Sequence, residues 1–316
     1  MSGQNRIAIL GATSHIAKDL IVSFSIDQDK HLHLFARRPD DVIKWLVGVG
    51  LSERYMVDHY DAFGKQEFDA IINFVGVGNP AQAAAMGSSI FDVTLQYDEL
   101  ALNYVRQHPE CRYIFLSSGA TYGSSFDAPV DAQTKATIAI NNLQPQDWYG
   151  VAKLHAECRH RSLAHLPIVD IRVFNYFSHT QDIEARFLIT DIVRAIRDNT
   201  VLKTSADYMM RDFIGPDDFH QLVNAILTSP ATNDVVDCYS KAPVDKPTLL
   251  AVMKEEFGLE YELVLTIAGV NSTGSKPYYY SLNMQAEVFG YVPNFSSYDV
   301  LIYELEKYIK LEAKVF

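Results

Sequence analysis

The first half of the chain alternates short apolar runs with longer stretches in which apolar residues recur every three or four positions. Short apolar runs are typical of strands buried on both faces, and the longer period is typical of amphipathic helices. This alternation predicts a parallel sheet covered by helices on both sides. The predicted strands are Ile7–Leu10, His31–Ala36, Ala70–Val75, Tyr113–Ser117 and Ile168–Phe174, and the predicted helices span residues 15–26, 40–47, 90–108 and 148–165.

The bulk composition narrows the classes of partner. The 316 residues carry a net charge of −12, which argues against nucleic-acid and anionic-membrane partners because these bind clustered Lys and Arg. Three cysteines without C-x-x-C spacing predict reduced thiols, a cytoplasmic protein and no metal site. The chain enters a strand pattern at Arg6, without a secretory signal, and no apolar run approaches the roughly 18 residues that cross a bilayer.

A candidate phosphate loop follows the first predicted strand. Gly11 permits a tight turn, and the small residues Ser14 and Ala17 let the backbone approach a pyrophosphate at the start of the next helix. Only one of the three usual glycines is present, so the loop alone is also compatible with a simple turn. Its position at the first strand–helix junction favours a dinucleotide site. The predicted contacts are Gly11, Thr13, Ser14, His15 and Ile16.

Arg37 and Arg38 follow the second predicted strand. An acidic residue at this point binds a free ribose 2′-hydroxyl, whereas arginine suits a 2′-phosphate. The pair therefore favours NADP(H) over NAD(H), although a solvated surface pair is the plain alternative. Asp58 ends the next predicted strand and is a candidate contact for adenine or a surface carboxylate.

A glycine-rich junction, Ile72–Asn79, follows the next buried strand. Glycine allows close approach of the backbone to a ligand, and it also occurs in simple turns. We take Phe74, Val75 and Gly76 as further candidate cofactor contacts.

Tyr149 and Lys153 lie on one face of a predicted helix because they are four residues apart. The nearby ammonium favours phenolate, so we expect a lowered pKa for Tyr149 and a general acid/base for carbonyl–alcohol chemistry. The same spacing recurs at Tyr303 and Lys307, in a predicted amphipathic helix, and we interpret that pair as structural.

Hydroxyl residues close the strand that precedes this helix. Ser117 and Ser118 stand at its carboxyl end, where ligands bind in open α/β sheets. With the phosphate loop and the Tyr-x-x-x-Lys pair, Leu116–Gly123 resembles the serine motif of the extended short-chain dehydrogenase/reductase family, the branch that modifies nucleotide sugars. The resemblance continues through Arg172–Asn175, Arg211–Ile214 and Phe289–Pro293.

This resemblance implies an α/β fold of the Rossmann type, a doubly wound parallel sheet with a smaller C-terminal substrate-binding region. Residues 1–175, with 213–232 returning to them, are expected to bind NAD(P), and residues 176–212 and 233–316 to bind substrate. A homodimer formed through helices 90–108 and 148–165 is also implied.

The same resemblance implies roles for individual residues. Tyr149 exchanges a proton with the sugar oxygen, Ser118 orients that oxygen, and Lys153 lowers the tyrosine pKa and holds the nicotinamide ribose. Ser117 and Phe174 are implied cofactor contacts, together with Tyr149 and Lys153. Asn175 and Arg211 are implied ligands of the substrate diphosphate, with Ser118 at the sugar. The further diphosphate candidates are Arg186, Lys203 and Lys276.

Departures from the family pattern narrow the activity. Gly119 and Ala120 stand where the sugar dehydratases have Asp-Glu, and Gly119 also replaces the cysteine of the 3,5-epimerase/reductases. The remaining expectation is an NADP-dependent reductase of a nucleotide-linked 4-keto sugar. The alternatives are an NAD-dependent 4-epimerase that retains its cofactor and a protein that senses the cofactor without catalysis.

Overall fold

The computed structural model describes residues 5–77, 83, 85–185, 187–264 and 276–312. Seven strands form the central sheet: β1 (Asn5–Leu10), β2 (Lys30–Phe35), β3 (Met56–Asp58), β4 (Ala70–Asn73), β5 (Arg112–Ser118), β6 (Ile168–Val173) and β11 (Asp234–Asp237). They are all parallel and run in the order β11-β6-β5-β4-β1-β2-β3. The predicted doubly wound sheet is confirmed, and the strand order reverses between β1 and β4, where such sheets bind ligands.

Both faces of the sheet are covered, as the uninterrupted apolar strands require. Alternate side chains of β1 enter different cores, Ile7 and Ile9 on one face and Ala8 and Leu10 on the other. The first core is shared with α1 (His15–Ser23), α2 (Pro39–Gly48) and α6 (Pro216–Thr228), and the second with α3 (Ser89–Gln107) and α4 (Trp148–Ser162). No helix within the described ranges is long and apolar enough to cross a membrane.

The later part of the chain is built from short strands and three more helices. It contains β7 (Asn175–Tyr176) paired with β10 (Phe213–Ile214), β9 (Met210–Arg211) between β12 (Val244–Asp245) and β14 (Tyr278–Tyr279), and β8 (Leu202–Ser205) paired with β13 (Tyr261–Val264). The helices are α5 (Leu188–Arg197), α7 (Lys246–Phe257) and α8 (Ser297–Glu312), which share a separate core.

The two parts of the chain interleave. Helix α6 returns to the central sheet and packs beside α1. Strand β11 then pairs with β6 in the same sheet. The sequence assigned this strand to the substrate region, so the return to the sheet extends beyond residue 232.

Candidate active site

The turn after β1 lies directly against the end of β4. Gly11 has a φ of +82°, and a Cβ there would lie 2.9 Å from the carbonyl carbon of Phe74 and the backbone nitrogen of Val75. The backbone nitrogens of Gly11 and Ala12 donate to the carbonyl oxygen of Phe35 at 3.1 and 3.2 Å. Glycine is therefore required where the ends of β1, β2 and β4 meet, because any side chain at Gly11 would push the loop after β1 away from the loop after β4.

The N-terminus of α1 is open to a ligand. Ser14 occupies the N-cap position, but its side chain makes no capping hydrogen bond. The first-turn N–H groups of a helix have no intrahelical partner, so this end of α1 can receive an anion. Thr13 is exposed, and Ser14, His15 and Ile16 are partly exposed around it.

The two arginines after β2 differ in their surroundings. Both are exposed, but Arg38 Nε forms an ion pair with Asp41 at 2.9 Å. Arg37 has no hydrogen bond or ion pair with any described residue. Asp58 ends β3 as expected, and its carboxylate lies 2.8 Å from His33 Nε2. Of the three candidates, Arg37 is the one left free for a ligand.

The junction after β4 reaches from the phosphate loop to the catalytic residues. Asn73 accepts a hydrogen bond from the backbone nitrogen of Val75 at 2.9 Å and donates to the Tyr113 hydroxyl at 2.9 Å. A Cβ at Gly76 would lie 3.2 Å from Lys153 Nζ, so glycine leaves room around that ammonium. Gly78 and Asn79 of the same predicted junction lie outside the described residues.

Ser118, Tyr149 and Lys153 converge at the carboxyl end of β5. Ser118 is buried, and its hydroxyl accepts a hydrogen bond from the backbone nitrogen of Ala120 at 3.2 Å and lies near enough to the Tyr149 phenol to lower its pKa. Lys153 is buried one turn further along α4, and its Nζ donates to the Leu116 carbonyl at 2.6 Å. The three side chains predicted from the motifs therefore form one cluster.

The proton affinity of this cluster differs from the expectation. Burial raises the pKa of Tyr149, and the hydrogen bond from Ser118 offsets only part of that rise. Burial also lowers the pKa of Lys153 to about 8, against the opposing effects of Asp98, Asp170 and Glu157. The expected lowering of the tyrosine pKa is thus wrong for these residues alone, since the ammonium is directed at Leu116.

Ser117 faces away from the crevice. Its hydroxyl donates to the Glu157 carboxylate at 2.5 Å, and Arg172 binds the same carboxylate through two nitrogens, at 3.0 and 2.6 Å. Arg172 also donates to the Tyr122 hydroxyl at 2.8 Å, which in turn donates to Asp237 at 2.9 Å. The Ser117 hydroxyl therefore belongs to this network, and neighbouring residues on a strand point to opposite faces. A contact of Ser117 with the cofactor stays a prediction.

Tyr279 joins the cluster from the far end of the chain. Its hydroxyl lies 3.5 Å from Ser118 Oγ, and its ring packs against Phe126 and Phe174 at centroid distances of 4.7 and 5.2 Å. Tyr279 is the middle residue of three consecutive tyrosines, and the sequence does not indicate which of the three rings enters the site. Pairing of β14 with β9 decides this.

Two half-buried cations lie beside Tyr279. The guanidinium carbon of Arg211 and Nζ of Lys276 are 5.9 and 4.9 Å from its ring centroid, and neither cation has an ion pair among the described residues. Burial lowers the pKa of Arg211 to about 10. Burial, followed by repulsion from Arg211, lowers the pKa of Lys276 to about 8, against a weaker attraction from Asp147. Two neighbouring cations without a carboxylate partner form a site for an anion.

The other substrate candidates are placed differently. Asn175 Nδ2 donates to the carbonyl oxygens of Asp212 and Tyr279 at 3.1 and 3.3 Å, so it ties together the segments that carry Arg211 and Tyr279. Lys203 is exposed on β8, and Arg186 lies outside the described residues.

A model of the NAD dependent epimerase/dehydratase family matches residues 7–239, about three quarters of the chain. The chain belongs to this family. The match includes the phosphate loop, the Ser118–Tyr149–Lys153 cluster and Arg211. The resemblance to extended short-chain dehydrogenase/reductases is therefore confirmed. Comparison of the sequence with curated proteins gives no match.

Solved structures share the family fold over nearly the whole chain. The dTDP-glucose 4,6-dehydratase of Bacillus anthracis, in complex with NAD, has a TM-score of 0.78 and 14% identity, covering 98% of this chain and 97% of that one. The UDP-glucuronic acid 4-epimerase of Bacillus cereus, with UDP-glucuronic acid and NAD, has a TM-score of 0.76 and 17% identity. The match covers 97% of this chain and 99% of that one. The UDP-glucose 4-epimerase of Thermotoga maritima, with UDP-glucose, has a TM-score of 0.77 and 14% identity. The match covers 98% of this chain and 99% of that one.

The residues of this chain fit the dinucleotide that the family name implies. The start of α1 is uncapped, so its N–H groups are available to a pyrophosphate. Gly11 and Gly76 are the two positions where a side chain would close the crevice, against β4 and against Lys153 respectively. Lys153, Phe174 and the junction after β4 then line the part of the crevice nearest Ser118.

A packing contact accounts for one departure from the family's dehydratases. A Cβ at Gly119 would overlap the ring of Phe174, so an acidic side chain cannot be accommodated there while the ring keeps its place. Gly150 is similarly required, because a Cβ there would lie 2.5 Å from the Ala120 carbonyl oxygen. These two contacts fix α4 and Phe174 around Ser118.

Proposed function

We propose that the protein is an NADP-dependent reductase of a nucleotide-linked 4-keto sugar. The observation that carries this proposal is the convergence of Ser118, Tyr149 and Lys153 beside the dinucleotide crevice, with burial raising the pKa of Tyr149. A tyrosine that keeps its proton at neutral pH suits the reductive direction, in which the enzyme must supply a proton to the sugar oxygen. The unpaired Arg37 supports NADP.

In this proposal Tyr149 and Ser118 act on the carbonyl oxygen of the substrate, and Lys153 acts on Tyr149. When bound, the reduced nicotinamide supplies a hydride to the carbonyl carbon. Tyr149 donates its phenolic proton to the carbonyl oxygen, and Ser118 holds the same oxygen by a hydrogen bond. Lys153, with a pKa of about 8, remains mostly protonated at neutral pH and supplies positive charge beside Tyr149 as its proton leaves.

The half-buried pair Arg211 and Lys276 supports a nucleotide-linked substrate. Partly desolvated cations with no carboxylate partner among the described residues are costly unless an anion binds, and a diphosphate carries charge for both. Both cations contact the ring of Tyr279, whose hydroxyl reaches Ser118. Tyr279 therefore lies between the cations that would bind the phosphates and Ser118, where the sugar would react.

Replacing Lys276 with methionine tests the diphosphate site. Because charge-assisted hydrogen bonds contribute about 1.5–3 kcal/mol, we expect the Kd of a nucleoside diphosphate to rise about tenfold or more. In the unmodified protein, affinity should fall as pH rises through 8, where Lys276 loses its proton, and the variant should lack this dependence. Calorimetric titrations at pH 6.5–9 measure both effects. Lys203→Met, at an exposed lysine, is the matched control, and an equal loss there would contradict the assignment.

Replacing Arg37 with alanine tests the cofactor preference. Loss of the charge-assisted contact to a 2′-phosphate should raise the Kd of NADPH about tenfold and leave that of NADH within a factor of about two. Arg38→Ala serves as the control, since Arg38 is already paired with Asp41. Equal affinities of the Arg37 variant and the unmodified protein for NADPH would make Arg37 a surface residue.

The alternative function is a nucleotide-sugar 4-epimerase that retains NAD. It is supported by the family name and by 4-epimerases among the similar structures, several of which contain NAD. Freshly purified protein should be denatured and any released dinucleotide identified by mass spectrometry. Near-stoichiometric NAD would favour the epimerase. An empty protein, or exchangeable NADP, would favour the reductase, which is then assayed by NADPH oxidation with 4-keto sugar nucleotides.

We also propose a homodimer formed through α3 and α4. Leu95, 42% exposed, lies on the outer face of α3, and Cys158 is exposed on α4. Light scattering should give twice the mass of one chain, and Leu95→Glu should reduce it to that of one chain. Leu263→Glu, at an exposed leucine of β13, should remain dimeric.

The three free cysteines support the expected reducing, cytoplasmic environment.

A further inference from the structure

Ser118 lies between two phenols, those of Tyr149 and Tyr279. The hydroxyl oxygen of Tyr279 is 3.5 Å from Ser118 Oγ, and Ser118 also lies close enough to Tyr149 to oppose the rise of its pKa. The backbone nitrogen of Ala120 donates to the same Ser118 oxygen at 3.2 Å. One hydroxyl at the carboxyl end of β5 is therefore within reach of three hydrogen-bond partners besides a substrate.

The number of protons limits how these contacts can be arranged. A serine hydroxyl has one proton to donate and two lone pairs that accept, and Ala120 occupies one lone pair. If Ser118 donated its proton to Tyr279, none would be left for a substrate oxygen, and its second lone pair would be free to take the phenolic proton of Tyr149. If Tyr279 donates instead, both lone pairs of Ser118 are filled. The protons of Ser118 and Tyr149 then remain available to the substrate.

Tyr279 is held in place to act as this donor. Its ring packs against Phe126 and Phe174, and its carbonyl oxygen accepts a hydrogen bond from Asn175 Nδ2 at 3.3 Å. Burial raises the pKa of Tyr279 to about 12, and the proximity of Ser118 offsets only part of that rise. The phenol therefore keeps its proton at neutral and moderately alkaline pH.

We propose that Tyr279 is a positioning residue for the reduction: its hydroxyl donates to Ser118 Oγ and thereby directs the Ser118 proton toward the carbonyl oxygen of the substrate. The proposal rests on the carbonyl chemistry proposed above. The 3.5 Å contact is at the long end of the hydrogen-bond range, and such contacts often tighten when a substrate binds. Ser118 and Tyr149 then both donate to the oxygen on which negative charge develops.

The test compares Tyr279→Phe in two backgrounds, the unmodified protein and Ser118→Ala, by NADPH oxidation with a nucleotide-linked 4-keto sugar. In the unmodified background, loss of one hydrogen bond should lower kcat about fivefold. In the Ser118→Ala background, the same substitution should change kcat by less than about twofold, because it acts only through the Ser118 hydroxyl. The Kd of a nucleoside diphosphate should stay within about twofold, since phenylalanine keeps the ring that Arg211 and Lys276 contact.

Tyr278→Phe is the matched control. Its side chain points to the opposite face of β14, its ring lies 5.6 Å from that of Tyr208, and kcat should be unchanged. Equal losses of kcat from Tyr279→Phe in both backgrounds would show a structural effect and overturn the positioning role. An undiminished kcat with weaker diphosphate binding would overturn it as well. Both results leave the proposed function intact.

The activity of the unmodified protein separates this inference from the proposed function. If the protein interconverts nucleotide sugars without consuming NADPH, the proposed reductase is wrong. The same variants are then compared in that reaction, because Ser118 faces the same sugar oxygen and the same dependence on Ser118 is expected. Absence of both activities would overturn the proposed function and this inference together.

Discussion

Replacing Tyr149 with phenylalanine should lower kcat by about 10²–10⁴-fold, the range measured for loss of a general acid. The ring remains to fill its place on α4, and only the hydroxyl that reaches Ser118 is removed. KM for the nucleotide sugar should change little, because the phosphate contacts proposed for Arg211 and Lys276 are retained. Steady-state kinetics with NADPH and a nucleotide-linked 4-keto sugar measure both parameters.

The chain supplies its own control for this variant. Tyr303 and Lys307 have the same four-residue spacing on α8, where Lys307 Nζ lies 3.9 Å from the Tyr303 ring centroid and pairs with Glu304 at 2.9 Å. Tyr303→Phe should leave kcat unchanged, because this pair is structural. Full activity of Tyr149→Phe would remove the proton-transfer role and with it the proposed mechanism.

Replacing His160 with asparagine should lower the free energy of unfolding by about 3–5 kcal/mol, the cost of breaking a buried ion pair by removing one partner. His160 is completely buried on α4 between Asp170 and Asp98, with its two ring nitrogens 2.6 and 2.7 Å from their carboxylates. Without the imidazolium, these two buried carboxylates retain only Arg159 and Arg161 as cations. Urea unfolding at pH 7 measures the difference.

The same contact predicts how stability depends on pH. Burial opposes the charge on His160, but Asp170 and Asp98 raise its pKa from the ordinary 6.5 to about 9. Its contribution is therefore complete below pH 6.5 and is lost as pH rises through 9, a change of about 3 kcal/mol. The unmodified protein should lose this stability between pH 6.5 and 9.5, and His160→Asn should not.

His155 provides the matched control, since it is exposed on the same helix. His155→Asn should retain both the stability at pH 7 and its decline at alkaline pH. If His160→Asn declines with pH as steeply as the unmodified protein, then His160 does not account for the alkaline loss.

The parts of the site that the sequence predicted are those encoded by short-range spacing. Gly11 at the first junction, Ser118 at a strand end and the Tyr149–Lys153 pair all depend on neighbours within a few residues, and strand–helix periodicity then brings them to one edge of the sheet. The same alternation along a strand separates Ser117 from Ser118, which sequence reasoning could have used.

The parts that the sequence could name but not place depend on contacts between distant segments. Lys276 and Tyr279 reach the site only because β14 pairs with β9, with Tyr279 opposite Arg211, and no local pattern encodes that register. The pKa of Tyr149 was misjudged because it depends on how deeply the ring is buried, which spacing does not reveal.

The late position of β14 bears on how the protein matures during translation. The phosphate loop and the Tyr149–Lys153 pair precede Tyr279 by more than a hundred residues. At about 5–20 residues per second, a ribosome needs roughly ten seconds to reach Tyr279 after Lys153. For that interval the nascent chain carries the Tyr149–Lys153 pair without β14, so the contact between Tyr279 and Ser118 is among the last parts of the site to form.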